Sequence, residues 1–152
     1  VYKCPADNYL AGSGNFTQVR VRSIAMNAFV EGGAYRGAGS IWYPTYRKYD
    51  KAADVTSPTP ADLWLMVDEH PDSINDPNFL TTFGSPSGWV DLPAAFHERS
   101  ANFLFADSHV ETHEWQSERT LVPVRYLFSP PSPSLKDPDF RWTFDLTSLP
   151  GR

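Results

Sequence analysis

Two segments of alternating character, Asn102-Phe-Leu-Phe-Ala106 and His109-Val-Glu-Thr-His-Glu-Trp115, flank the dipeptide Asp107-Ser108. Period-two alternation on both sides of so short a connection is the pattern of a β-hairpin, and it commits the second half of the chain to antiparallel β structure. With a two-residue turn, Ala106 opposes His109, Phe105 opposes Val110 and Phe103 opposes Thr112. One face then carries Phe103, Phe105 and Val110 and is expected to meet the core. The other carries Leu104, His109, Glu111, His113 and Trp115.

The rest of the chain must cover that hairpin. Leu63-Trp-Leu-Met-Val67 is a run of five apolar residues between turn signals, the pattern of a central strand buried on both faces. Gln18 to Val30 reads as a strand whose polar face starts with Arg20 and Arg22. Residues 41–49 read as a short helix or an irregular aromatic segment, and 77–100 as a long surface excursion with a helical turn near Leu92 to His97. Thr120 to Phe128 reads as a last strand. The 14 prolines and 9 glycines lie between short apolar runs, which suits a loop-rich folded chain, and 152 residues suffice for one core. The expected fold is α+β, mainly antiparallel β: a single small domain with long loops, its core at 19–29, 63–67, 102–106 and 109–115. Residues 1–128 form the globular head, and the proline-rich 129–152 is a tail packed on it or extending from it.

Several function classes find no support. The formal net charge is −5 with acidic and basic residues interleaved, so the basic footprint of a nucleic-acid binder is missing. No apolar run approaches the roughly 18 residues of a membrane span. There is no Gly-x-Ser-x-Gly elbow, and Gly32-Gly33 and Gly37-Ala-Gly39 lack the lysine and spacing of a phosphate loop. Cys4 is the single cysteine, which excludes an internal disulfide and any zinc site built from a cysteine cluster of this chain. Its plain reading is a buried thiol. The start at Val1 reads as a processed or truncated piece.

Three groups of residues carry candidate chemistry. Asp68, Glu69, Asp72, Asn75 and Asp76 follow the central strand and concentrate the hard oxygens that calcium requires. His109, Glu111 and His113 alternate on one strand, with His97 and Asp107 close by in sequence. Two imidazoles and a carboxylate are the donors of an open zinc or other transition-metal site. Same-face neighbours on a strand are nearly 7 Å apart, which makes three ligands from one straight strand awkward. Trp42, Trp89 and Trp115 would suit sugar stacking if exposed, and core packing otherwise.

His97, nine intervening residues and then Asp107-Ser108 resembles the His-x9-Asp-Gly signature associated with prepilin processing, with serine in place of glycine. Cys4-Pro-Ala-Asp7, Asp68-Glu-His-Pro-Asp-Ser-Ile-Asn-Asp76, Trp89-Val-Asp-Leu-Pro-Ala94 and Phe105-Ala-Asp-Ser-His-Val-Glu-Thr-His-Glu-Trp115 are similar to segments of the same group. These are prepilin-type, pseudopilin-like proteins related to type II secretion protein G, abundant in planctomycetes and verrucomicrobia. The resemblance implies that this chain is the globular head only. It also implies an N-terminal membrane helix upstream, an inner-membrane anchor, and a periplasmic or extracellular site of action among other pseudopilin or secretion subunits. An upstream cysteine would then be a partner for Cys4, and calcium is a common stabiliser of such heads. The leading expectation is a structural head acting through protein contacts. Beside it stand a metal-dependent hydrolase or oxidoreductase using His109, Glu111 and His113, and a carbohydrate-binding module.

Overall fold

The computed structural model describes residues 2–13, 16–30, 42–81, 88–127, 129, 131 and 136–150. The glycine-rich stretch at 31–41, part of the 77–100 excursion and Phe128 lie outside the described residues. Strands β1 (Leu10–Ser13) and β2 (Phe16–Val19) form an antiparallel ribbon. Strands β3 (Ile24–Asn27), β4 (Trp64–Asp68), β5 (Asn78–Phe79), β6 (Ser100–Phe105) and β7 (Val110–Glu114) form a sheet of order β5-β3-β4-β6-β7. Every pairing in it is antiparallel except β3 with β5. One α-helix, α1 (Pro138–Asp145), and a 3-10 turn at Ala52–Asp54 complete the described elements. The mainly antiparallel expectation therefore holds at this coarse level. No described helix is long and apolar enough to cross a membrane.

The apolar run at 63–67 becomes β4, the middle strand, because only a position flanked by strands on both edges hides so many apolar groups. Gln18 to Val30 is not one strand. It breaks between β2 and β3, where Arg20 turns inward to meet Asp7 at 3.5 Å and the Leu10 carbonyl at 2.9 Å. Residues 92–97 form no helix: Pro93 makes a β-bridge with Glu69, and a turn begins at Phe96.

The hairpin is present with a different register. Phe105 N–H donates to the His109 carbonyl at 2.9 Å, so the loop is Ala106-Asp107-Ser108, three residues long. Ladder pairs are Leu104 with Val110 and Phe103 with Glu111. One extra loop residue moves the partner strand to its other face, so Val110 stands 63% exposed instead of joining Phe103 and Phe105 in the core. Ser108 has φ 78°, the left-handed conformation that closes a three-residue hairpin loop. The glycine of the Asp-Gly signature fits that position because it has no Cβ to strain.

The main core is aromatic. Phe103 meets Trp64, Trp115 and Trp142 edge-on with centroids 5.8, 5.9 and 4.9 Å away, and Trp89 meets Phe140 at 5.0 Å. Edge-to-face contacts of this kind add to the apolar area they bury. Phe140 comes from α1, so the 129–152 segment supplies a fully buried side chain to the core. The helix starts at Asp137, whose carboxylate accepts from the N–H groups of Asp139 and Phe140, with Pro138 at the first helical position. Residues 120–127 form no strand: Asp72 accepts from the Arg125 and Tyr126 N–H groups at 2.8 Å each, and His70 Nε2 lies 3.1 Å from the Val122 carbonyl oxygen.

Two outcomes check this register. Phe103→Ala should cost about 3–5 kcal/mol in urea unfolding, while Val110→Ala should stay within roughly 0.5 kcal/mol. Similar costs at both positions would restore the two-residue turn. Ser108→Gly should stabilise the chain by about 0.5–1 kcal/mol, because it relieves the left-handed backbone; a loss of stability would contradict that conformation.

Candidate metal centre

β4 ends in Asp68 and is followed by Glu69, and the extended backbone sends their side chains to opposite sides of the sheet. Asp68 goes to the face shared with Cys4 and His97. Its Oδ2 lies 3.4 Å from His97 Nε2 and accepts the Asn102 N–H at 3.2 Å. Cys4 Sγ lies 3.3 Å from the same His97 nitrogen. The three ligand atoms all lie within 4.8 Å of one another. Cys4 and Asp68 are buried, while His97 is about one-third open to solvent. Burial pushes the Asp68 carboxyl above its ordinary range, against the Asn102 amide and His97.

Each of the three is held by local structure. The Cys4 N–H donates to Ser23 Oγ at 2.7 Å, and the Cys4 carbonyl accepts from Asp7 N–H at 3.0 Å. His97 sits in a tight turn closed by reciprocal backbone bonds with Ser100, at 3.2 and 3.1 Å. Glu98 and Arg99 inside that turn have φ 51° and 72°. Two successive non-glycine residues in the left-handed region are costly and persist only where their surroundings fix them. Trp115 N–H fixes them in part, donating to the Arg99 carbonyl at 2.8 Å. Cys4, Asp68 and His97 could together hold a metal ion.

Glu69 lies on the other side of the sheet. It pairs with Arg22 at 3.1 Å and accepts from Ser73 Oγ at 3.3 Å. Burial, with the charge of nearby Asp91, pushes its carboxyl up to about 8. Asp91 accepts the Leu80 N–H at 2.7 Å, and burial first, then the charge of Asp76, raises it to about 6.

The candidate calcium residues face different partners. Asp68 turns to His97, Glu69 to Arg22 and Asp72 to the backbone of 125–126, while Asn75 and Asp76 accept from the N–H groups of Asp76 and Asn78. His109, just before β7, and Glu111 and His113 within it alternate without converging. The His109 ring stacks on Phe105 at 4.4 Å with Nδ1 2.6 Å from Asp107, and the His113 ring stacks on Trp142 at 3.7 Å. Among the described residues, Cys4, Asp68 and His97 are the one group of three such side chains with ligand atoms in mutual reach. Trp89 and Trp115 belong to the core and cannot serve a sugar platform, while Trp42 is 43% exposed.

Comparison with family models, curated proteins and solved structures finds no match to this chain. In the sequence, Asp68 and His97 fall in separate groups of candidate ligands, and Cys4 falls in neither. Cys4 and His97 are 93 positions apart, and no local spacing brings them together. The one signal that touched all three was the set of segments similar to prepilin-type proteins.

Glu69 generates a pH prediction. The unfolded chain releases its proton near 4.5 and the folded chain keeps it to about 8, so stability falls as pH rises between those values. Asp91 adds the same sign between 3.8 and about 6. Burial lowers His70 and His113, which act oppositely, but only around and below 6.5. Asp68, also raised by burial, acts with the same sign as Glu69, and of Glu69 and Asp91 only Glu69 still titrates between pH 6.5 and 8. The melting temperature should drop across that window, and Glu69→Gln should flatten the drop. A flat wild-type profile there would mean that Glu69 is ionised in the fold.

Proposed function

We propose that this chain is the globular head of a prepilin-type, pseudopilin-like protein that works by protein contact in a secretion or surface filament. Its place of action is the periplasm or the cell exterior, with anchoring supplied by an upstream membrane helix. The observation that carries the contact role is a groove beside the β1–β2 ribbon where exposed apolar side chains stand among Gln18, Arg22 and Asp72. Val19 and Val21 are 72% and 86% exposed, and with Leu10 and Tyr126 they line one groove. Clustered exposed apolar groups of this kind mark interaction surfaces more often than scattered ones do.

The segments that carry the resemblance also behave as one unit. Ala94 N–H donates to the Asp68 carbonyl at 2.8 Å, His70 N–H to the Leu92 carbonyl at 2.8 Å, and Trp115 Nε1 to the Ala94 carbonyl at 2.8 Å. These bonds tie the segments around Asp68, Trp89 and Trp115 together, which supports a scaffold role. The enzyme reading on His109, Glu111 and His113 loses support because those side chains do not converge, and the sugar-binding reading because two of its three tryptophans are core.

A photo-cross-linking residue at Val21, in cells making the full-length protein, tests the proposal. Adducts should form with a second copy or with another chain carrying a prepilin-type leader, and Val19→Glu should abolish them. Absence of adducts, or adducts confined to unrelated proteins, overturns it.

A further inference from the structure

We propose that Cys4, Asp68 and His97 form a zinc(II) site, with a fourth position open to the groove beside β6 and β7. This stands apart from the filament reading and survives its failure. A tetrahedral zinc with bonds of about 2.0–2.3 Å holds its nitrogen, oxygen and sulfur ligands about 3.4–3.6 Å from one another. The observed separations are 3.3 Å from Sγ to Nε2 and 3.4 Å from Nε2 to Oδ2. Those two separations are close to edges of such a tetrahedron, and the third, from Sγ to the Asp68 carboxylate, is within 4.8 Å.

Proton counting points the same way. Nε2 of a neutral imidazole has either one lone pair or one hydrogen. If the hydrogen is on Nε2 and goes to Asp68, the Cys4 thiol faces an N–H. If the lone pair accepts from the thiol, the Asp68 carboxylate faces a lone pair. A cation satisfies sulfur, nitrogen and oxygen together: the thiol loses its proton to solvent, and the ring proton resides on Nδ1.

The ligand chemistry selects the metal. Calcium and magnesium take oxygen donors, whereas a thiolate with an imidazole and one carboxylate suits zinc. The site is preorganised by the turn at Cys4, the end of β4 and the constrained turn after His97, three segments brought together only by folding. The groove over it is bounded by Met66, Leu104 and Val110 and has about 430 Å³, room for water or another fourth ligand.

Purified chain, stripped with a chelator, is titrated with zinc and separately with cobalt(II). One equivalent should bind, and the cobalt form should give a thiolate-to-cobalt charge-transfer band. Cys4→Ser and His97→Ala should each weaken zinc binding by more than the roughly 10–100-fold that loss of a merely supporting partner costs. His109→Ala and His113→Ala should leave affinity unchanged. The cobalt band is read on the wild-type chain, so an unstable variant does not decide the outcome. Lack of the band, or zinc binding that persists in Cys4→Ser and vanishes in His113→Ala, overturns the site.

Discussion

Burial of two consecutive acidic side chains, Asp68 at the end of the central strand and Glu69 just after it, is the constraint around which the structure is arranged. A carboxyl group removed from water must recover its lost hydrogen bonds, and Asp68 and Glu69 recover theirs on opposite faces. Asp68 draws in the Asn102 amide and His97. Glu69 draws in Arg22 and Ser73, while its N–H reaches the Ser23 carbonyl at 2.7 Å. The backbone of residues 68–70 then captures residues 92–94. The start of the sheet, the long excursion and the β5–β6 connection are thus fixed by one strand end.

Sequence reading found the strands and missed what holds them in register. β4 was legible because five apolar residues in a row have few other fates. The register of β6 with β7 was not, because two- and three-residue loops give equally regular alternation and differ only in which face Val110 takes. The conformation of Ser108 decides it, and a serine advertises left-handed backbone far less than a glycine does. The helix had a readable start in Asp137-Pro138-Asp139, but the surrounding prolines favoured a linker. Asp139 ties it down by accepting the Gln116 and Ser117 N–H groups at 3.0 and 2.9 Å.

The candidate ligands were legible as residue types and illegible as a set. Acidic residues after β4 read as one loop, yet alternation splits them: Asp68 and Glu69 leave the strand on opposite sides, and Asp72 reaches across to fasten residues 125–126. His109 and His113 read as part of a polar outer face. His109 stays exposed against the Phe105 ring, whereas His113 packs between Trp142 and Trp115 and burial holds its imidazole below its ordinary range. A periodicity argument places residues on a face, but only packing decides whether that face is wet.

A metal at Cys4, Asp68 and His97 would act as a tie more readily than as a reagent. Activating a bound water calls for an open position together with a free base or a donor for developing charge. The polar groups around the groove are engaged elsewhere: Lys3 Nζ donates to the Asp7 carbonyl, and Asn102 Oδ1 accepts from Thr112 Oγ1 at 2.7 Å. The remaining walls are apolar, from Ile24, Met66, Leu104 and Val110. What the site joins is the N-terminal turn, the end of the central strand and the turn opening the final hairpin. In a small domain with long loops, a cation across those three segments stabilises the folded state by binding to it alone, and so adds what a modest aromatic core does not supply.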